Sequence, residues 1–184
     1  MRVIAGRAKG LRLKSPASGT RPMTDRMKES IFSSLGDLTG LEVMDLFAGS
    51  GALGIEALSR GATRAVFVEN AHEAVSRLRT NLEATGFEDS AEILWTEVER
   101  VLEQRAIGRV DLIFVDPPYA ATSNGVQAVL EDIVMGGYLS DDGRVVVHRP
   151  KKDTPLRPLG LELRWERAFG QANAYVFGHE EENE

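Results

Sequence analysis

Four consecutive residues in the last third of the chain have the types that chemistry on an amino group requires. They end the apolar run of FVDPPYA, residues 114–120. Proline fixes its own φ and restricts the residue before it, so Asp116 and Pro117 are expected to be held extended. A rigid carboxylate and carbonyl can accept the hydrogens of a base's amino group and favour its pyramidal, nucleophilic form, while Tyr119 stacks on the ring. The predicted catalytic residues are Asp116, Pro117, Pro118 and Tyr119. The alternative is a proline-punctuated strand end before a surface loop.

A second motif, DLFAGSGALG at residues 45–54, has the spacing of a nucleotide-binding loop. Its glycines satisfy G-x-G-x-x-G, which allows close approach of a ligand to the backbone at a helix N-terminus. Alone, the pattern is equally typical of dinucleotide-binding dehydrogenases or of a tight turn, and the missing Gly-Lys-Ser/Thr argues against a P-loop. Glu69 follows about 20 residues later, where an acid can bind both hydroxyls of a ribose. Together these features predict an adenosine-type cofactor.

The charge of the chain is unevenly distributed. Residues 1–30 contain eight Lys or Arg and two acids, a net charge of +6, whereas the whole chain carries −6. A basic segment on an acidic body is typical of polyanion binding, because phosphate contacts supply most non-specific affinity for nucleic acids. The alternative is a solvated N-terminal arm.

Periodicity predicts the elements that position these residues. A small hairpin is expected around Gly6 and Gly10, and a helix is expected from Thr24, which can cap it. Strand-like runs are EVMDLFA, RAVFVEN, AEILW, VDLIFVD and RVVVH, and helical spacing occurs near residues 52–60, 72–85, 97–106 and 123–135. This alternation indicates an α/β fold with a parallel sheet and helices on both faces. LELRWERAF and NAYVFGH, joined only by GQA, are predicted to pair antiparallel, giving seven strands.

Composition excludes several kinds of chemistry. The chain has no cysteine, which excludes disulfides, thiolate zinc sites and a cysteine nucleophile, and its three scattered histidines argue against a histidine-rich metal site. No metal is expected. No apolar run approaches the length that a bilayer requires, and no signal-like segment follows Met1. We therefore expect a cytoplasmic protein.

The motifs together resemble a known family. DLFAGSG, Glu69 and DPPY are similar to the class I, Rossmann-like S-adenosylmethionine-dependent methyltransferases that modify amino groups of nucleobases. IAGRAKGLRL, RPMTDRMKESIFSSL and the motif spacing over nearly the whole chain resemble the RsmD family, which methylates N2 of one guanine, guanine 966, in bacterial 16S ribosomal RNA. DPPY is shared with DNA adenine-N6 methyltransferases, but the basic N-terminal segment and the short chain favour RNA.

The resemblance implies roles for individual residues. The glycine loop would bend around the methionine part of S-adenosylmethionine, with Asp45 near its amino group, Glu69 on the ribose and residues 96–98 along the adenine. Glu97 departs from the Asp or Asn frequent at that corner. The implied cofactor-binding residues are Asp45, Phe47, Gly49, Ser50, Gly51, Glu69, Asn70, Thr96 and Glu97. The implied substrate-binding residues are Arg2, Arg7, Lys9, Arg12, Lys14, Arg21, Thr24 and Arg26. The product is S-adenosylhomocysteine.

The expected domain organisation assigns residues 1–20 to a basic RNA-binding hairpin and linker, 21–179 to the methyltransferase domain and 180–184 to an acidic tail. Deletion of residues 1–16 is expected to leave a folded domain. The implied partner is 16S ribosomal RNA within a partly assembled small subunit. The alternatives are a DNA adenine-N6 methyltransferase, a nicotinamide-dependent oxidoreductase, and a non-catalytic RNA-binding module with a Rossmann-like fold.

Several other residues are expected to have no catalytic role. His72 and His148 are predicted to be structural or exposed, with no carboxylate placed to tune either. Trp95 and Trp165 are predicted to pack in the core or the hairpin. The cluster Arg149, Lys151 and Lys152 either extends the RNA surface or is only solvated.

Overall fold

The computed structural model describes residues 1–15 and 23–181. The chain divides into two compact units, Met1–Val98 and Glu99–Glu184. Arg21 lies outside the described residues, as do most of the predicted linker and the last three residues of the tail. No helix within the described ranges is long and apolar enough to cross a bilayer.

The first unit alternates strands and helices. Its elements are α1 (Asp25–Leu35), β1 (Glu42–Leu46), α2 (Ala52–Ser59), β2 (Arg64–Glu69), α3 (His72–Thr85), a short 3-10 helix (Glu88–Ser90) and β3 (Ala91–Trp95). β2 pairs in parallel with β1 and with β3, so the strand order within this unit is β3-β2-β1. β1 and β2 are almost completely buried, as expected for parallel strands with near-continuous apolar sequences.

The predicted N-terminal elements are confirmed. Thr24 caps α1 by accepting a hydrogen bond from the Met27 N–H at 3.2 Å. Residues 1–13 form a hairpin in which the Val3 N–H donates to the Leu11 carbonyl and the Leu13 N–H donates to the Met1 carbonyl. Val3, Ala8 and Leu13 are buried, so the hairpin packs against other parts of the first unit.

A buried carboxylate on α2 holds this hairpin in place. Glu56 has no solvent exposure, and its two oxygens accept hydrogen bonds from the Ile4 and Ala5 N–H groups at 2.9 and 3.0 Å. The same carboxylate pairs with Lys28 at 3.2 Å and with Arg60 at 2.8 Å. Deletion of residues 1–16 would leave these buried charges without their backbone partners. Contrary to the sequence-based expectation, such a deletion is therefore not expected to leave the first unit folded.

The second unit contains the remaining strands. Its elements are α4 (Val98–Leu102), which begins at the boundary, β4 (Val110–Val115), α5 (Ser123–Met135), β5 (Leu139–Pro150), β6 (Leu161–Phe169) and β7 (Ala172–His179). β4 and β5 are parallel, whereas β7 pairs antiparallel with both β5 and β6. The predicted seven-stranded, mostly parallel sheet with a C-terminal antiparallel hairpin is confirmed. α4 is shorter than the predicted 97–106.

Candidate functional site

The glycine loop after β1 makes a tight turn into α2. Phe47, with φ 59°, and Gly51, with φ 86°, both have left-handed backbone conformations, and the Gly51 N–H donates to the Ala48 carbonyl at 2.8 Å. A Cβ atom added to Gly51 would collide with Leu78 of α3. Only glycine therefore allows this turn and this close packing together.

The third glycine of the motif brings α2 close to the strands. A Cβ atom added to Gly54 would collide with the ring of Phe67 in β2. The Gly54 N–H donates to Asp45 Oδ2 at 2.9 Å, and Asp45 is buried. Asp45 thus satisfies a free N–H group in the first turn of α2. Its predicted contact with the cofactor's amino group stays a prediction.

Glu69 is bound to the glycine loop through its carboxylate. Oε2 accepts a hydrogen bond from the Gly49 N–H and Oε1 accepts one from the Ala71 N–H, both at 2.8 Å. An ionised carboxylate offers about four lone-pair sites, so both oxygens can still accept ribose hydroxyls. Apart from its chain neighbours, a Cβ atom added to Gly49 would meet no atom within 4 Å, so the loop is open at the residue that binds Glu69. The acceptor oxygens of Glu69 and the open space fit an adenosine-containing ligand.

The residues predicted to lie along the adenine, 96–98, follow β3, and Asn70, predicted to lie beside the ribose, follows β2. The Thr96 N–H donates to the Glu69 carbonyl at 3.1 Å, and the Trp95 indole Nε1–H donates to the Asn70 carbonyl at 3.0 Å. Glu97 is exposed. The prediction that Trp95 packs in the core or the hairpin is wrong, because Trp95 is 53% exposed at the end of β3. Its ring lies 5.3 Å from that of His72.

Asn81, which the sequence reasoning missed, links the glycine loop to the end of the N-terminal hairpin. It is buried on α3, and its Nδ2 donates to the carbonyls of Ser50 at 2.9 Å and Lys14 at 3.1 Å. Its Oδ1 accepts a hydrogen bond from the Lys14 N–H at 2.7 Å. A signal was present in the sequence, because Asn81 lies three residues after the apolar Leu78, which puts both on the same face of a helix.

The predicted substrate-binding residues lie mainly on the hairpin surface. Arg2 pairs with Asp25 at 2.8 Å, and the Arg7 guanidinium lies 5.1 Å from the centre of the Phe87 ring. The exposed members of the predicted set are Arg2, Arg7, Lys9, Arg12, Lys14, Thr24 and Arg26. Their side chains are therefore available to a polyanion, whereas the hairpin backbone is used for docking.

In the second unit, the DPPY segment follows β4 directly. The Asp116 side chain is 33% exposed, Pro117 is buried, Pro118 is exposed and the Tyr119 ring is 46% exposed. This segment thus presents a carboxylate and an aromatic ring to solvent on a rigid backbone.

Arg149 on β5 holds the DPPY segment from within the protein. It is buried, and its guanidinium donates to the carbonyls of Pro118, at 3.2 Å, and Ala121. It also donates to the Asp153 carboxylate from Nε at 2.9 Å. The expectation that Arg149 forms a surface cluster is wrong, because all of its contacts are internal; Lys151 and Lys152 are exposed.

His148, the residue before Arg149, contacts the predicted catalytic carboxylate. Its Nδ1 lies 2.8 Å from Asp116 Oδ1, and the Tyr119 ring lies 6.0 Å from the imidazole. The prediction that no carboxylate is placed near His148 is therefore wrong. Val115 pairs with Val147 in the parallel register, which puts the next residue of each strand side by side. The sequence signal for this contact was that Asp116 and His148 each follow directly after an apolar run.

Among the residues that the structure describes, no three His, Asp or Glu side chains are grouped as a possible metal site. The candidate chemistry in the described residues therefore consists of the glycine loop with Glu69 in the first unit and the DPPY segment with His148 in the second unit.

Comparison with known proteins identifies relatives over the whole chain. A family model described as "Conserved hypothetical protein 95" matches residues 1–178. YlbH of Bacillus subtilis is 39% identical over 96% of this chain and 98% of its own. Ribosomal RNA small subunit methyltransferase D of Escherichia coli K12 is 31% identical over 100% of this chain and 92% of its own. The solved structure of Escherichia coli yhhF matches with a TM-score of 0.85 at 30% identity, covering 99% of both chains.

These matches cover both the glycine loop and the DPPY segment, because the family model and each relative extend over nearly the whole chain. The agreement in structure confirms the predicted Rossmann-like class I methyltransferase fold. The chain therefore belongs to the RsmD family and is a methyltransferase.

Proposed function

We propose that the protein transfers a methyl group from S-adenosylmethionine to N2 of guanine 966 in 16S ribosomal RNA. The observation that carries this proposal is the DPPY segment, where a fixed carboxylate and an exposed aromatic ring follow β4. This is the arrangement that an exocyclic amino group on a flat base requires. The relative from Escherichia coli, which is named as a small subunit ribosomal RNA methyltransferase, supports the choice of RNA.

The first unit supplies the proposed cofactor site. Gly49 leaves space for the ligand beside Glu69, whose carboxylate is already fixed by two N–H groups and can bind the ribose hydroxyls. Asp45, Phe47, Ser50, Gly51, Asn70, Thr96 and Glu97 complete the proposed set. Bound S-adenosylmethionine supplies the methyl group and a positive sulfur that leaves as a neutral thioether.

The second unit supplies the proposed acceptor site. Asp116 and the adjoining backbone accept the hydrogens of the amino group, so the nitrogen lone pair is released from conjugation with the ring. The Tyr119 ring stacks on the guanine. The nitrogen loses one proton to Asp116, and Asp116, which is partly exposed, can pass this proton to water. Positioning of the reacting groups can contribute about 7–11 kcal/mol to such a displacement.

The exposed basic side chains of the hairpin form the proposed RNA contact, and residues 1–20 remain the proposed RNA-binding part. The net charge of +6 in residues 1–30 favours phosphate binding on an otherwise acidic protein. The proposed partner is 16S ribosomal RNA in a partly assembled subunit, and the proposed location is the cytoplasm.

The proposal is tested by the variant Asp116→Ala, with the exposed Asp142→Ala as a control of equal charge change. Methyl transfer is expected to fall about 10²- to 10⁴-fold for Asp116→Ala, because the amino group loses its acceptor. Binding of S-adenosylhomocysteine, measured by calorimetry, is expected to remain unchanged in both variants. The methylated nucleotide is identified by mass spectrometry of digested RNA.

Assays with four different substrates distinguish the proposal from its alternatives. Naked 16S RNA, RNA loaded with ribosomal proteins, assembled subunits and duplex DNA are each supplied to the wild-type protein. N2-methylguanine in RNA supports the proposal, whereas N6-methyladenine in DNA would replace it. Binding of NAD without S-adenosylhomocysteine would indicate an oxidoreductase, and RNA binding without either ligand would indicate a non-catalytic module.

A further inference from the structure

The second unit contains a buried histidine in contact with the carboxylate that the proposed function uses. We propose that His148 is a positioning residue for methyl transfer, which donates its Nδ1–H to Asp116 Oδ1 and leaves Oδ2 to accept a hydrogen of the target amino group. The observation behind this inference is the 2.8 Å distance between His148 Nδ1 and Asp116 Oδ1. The inference rests on the proposed function, because it assigns a role to His148 within the same reaction.

Contact with an ionised Asp116 assigns the ring proton of His148 to Nδ1. An ionised carboxylate can only accept hydrogen bonds, so the contact requires a hydrogen on Nδ1. A neutral imidazole carries one N–H group, which leaves Nε2 as an acceptor. Nε2 is buried and has no hydrogen-bond partner among the described residues. The single donor of this ring is thus directed at Asp116.

Within the described residues, the hydrogen bond that His148 makes through its ring is the one to Asp116. Burial of a polar ring costs free energy, so an apolar side chain of similar size would fill this position at lower cost unless the hydrogen bond to Asp116 has a use. Such costs are expected where a polar group has a function. The feature that distinguishes His148 from an apolar residue here is its hydrogen bond to Asp116.

Neighbouring contacts show that the end of β5 holds the DPPY segment at two points. His148 binds the Asp116 side chain, and Arg149 binds the carbonyls of Pro118 and Ala121. Arg149 is itself fixed by Asp153. Arg149 therefore fixes the path of the backbone, and His148 fixes the rotation of the carboxylate.

The proposed methyl transfer accounts for every bond and proton without a change in the protonation of His148. The N2 lone pair forms the bond to the methyl carbon, and the electron pair of the C–S bond stays on sulfur. N2 then loses one proton to Asp116 Oδ2, and this proton passes to water because a third of the Asp116 side chain is exposed. His148 keeps its Nδ1–H throughout. Its contribution is to keep Oδ1 occupied, so that Asp116 presents one defined oxygen.

Two substitutions at His148 test whether its hydrogen-bond donor, rather than its volume, is required. The amide nitrogen of His148→Asn can replace Nδ1 as a donor to Asp116, whereas His148→Leu fills similar space without a donor. With wild-type RNA substrate, we expect kcat to fall less than about 10-fold for His148→Asn and about 10²-fold for His148→Leu, the scale for losing one orienting donor. The Tm of His148→Leu is expected to stay the same or rise, and its affinity for S-adenosylhomocysteine is expected to be unchanged.

A double variant tests whether His148 acts through Asp116. In an Asp116→Asn background, addition of His148→Leu is expected to change kcat less than about 3-fold, because residues that act as a unit are non-additive. A wild-type kcat for His148→Leu, equal losses in His148→Asn and His148→Leu, or a full further loss in the double variant would each overturn the inference. A wild-type protein that binds S-adenosylhomocysteine but methylates no guanine would instead overturn the proposed function.

Discussion

The buried ion pair under the N-terminal hairpin gives a quantitative prediction for stability. Glu56→Ala removes the acceptor of the Ile4 and Ala5 N–H groups and leaves Lys28 buried without its carboxylate. Removal of one partner from a buried pair costs about 3–5 kcal/mol. Each N–H group that loses its acceptor adds up to about 1–3 kcal/mol, although contacts that share one carboxylate are not additive.

We therefore expect Glu56→Ala to lower the free energy of unfolding by about 4–5 kcal/mol. For a domain of this size, 1 kcal/mol corresponds to about 2–4 °C in Tm, so the expected fall is about 8–20 °C. Glu83→Ala is the matched control, because Glu83 is exposed on α3, and its change is expected to stay within about 0.5 kcal/mol. The double variant Lys28→Met, Glu56→Gln is expected to be more stable than Glu56→Ala, because it buries no unpaired lysine.

The measurements are urea unfolding followed by circular dichroism and hydrogen exchange of the Ile4 and Ala5 amides. Exchange at both amides is expected to become faster in Glu56→Ala, because the hairpin loses its anchor on α2. A fall of less than about 1 kcal/mol in Glu56→Ala would refute the reasoning, since it would mean that the hairpin docks without this carboxylate. Unchanged protection of both amides would refute it as well.

Two further variants test the first unit. Glu69→Ala is expected to weaken S-adenosylhomocysteine binding in calorimetry by more than about 10-fold, while kcat at saturating S-adenosylmethionine changes only a few-fold, because Glu69 binds ground and transition states alike. The control is Glu73→Ala, at an exposed residue, and a fall confined to kcat would contradict this role of Glu69. The triple variant Lys9→Ala, Arg12→Ala, Lys14→Ala is expected to lower the magnitude of the slope of log RNA affinity against log salt concentration by about 2. The control is Arg79→Ala on α3, and an unchanged slope in the triple variant would place the RNA surface elsewhere.

Much of the fold could be predicted from the sequence because its signals are local. The buried strands are continuous apolar runs, and the glycine spacing marks the turn after β1. The cap at Thr24 and the apolar face of α1 are also read from neighbouring residues, and both are confirmed. The predicted helix 97–106 is longer than α4, because helical spacing continues past Leu102 whereas the helical backbone ends there.

The missed residues depend on contacts between elements that are distant in sequence. The contact of His148 with Asp116 is not evident from the sequence, because it arises only from the register of β4 and β5. Lys28 is one of the basic residues of segment 1–30, but it lies at helical spacing from Ile31, Phe32 and Leu35 within the apolar face of α1. A charged residue inside an apolar stripe indicates that another polar group covers it, but the sequence does not say which.

The hairpin uses its backbone and its side chains for different purposes, and this determines how its role in RNA binding can be measured. Its N–H groups bind Glu56, while its basic side chains point to solvent. Asn81 joins the Lys14 backbone to Ser50 in the glycine loop, so undocking of the hairpin would also loosen the cofactor site. Cofactor affinity therefore reports on docking. A hairpin variant that weakens RNA binding at constant affinity for S-adenosylhomocysteine has lost phosphate contacts, whereas one that weakens both has lost the docked hairpin.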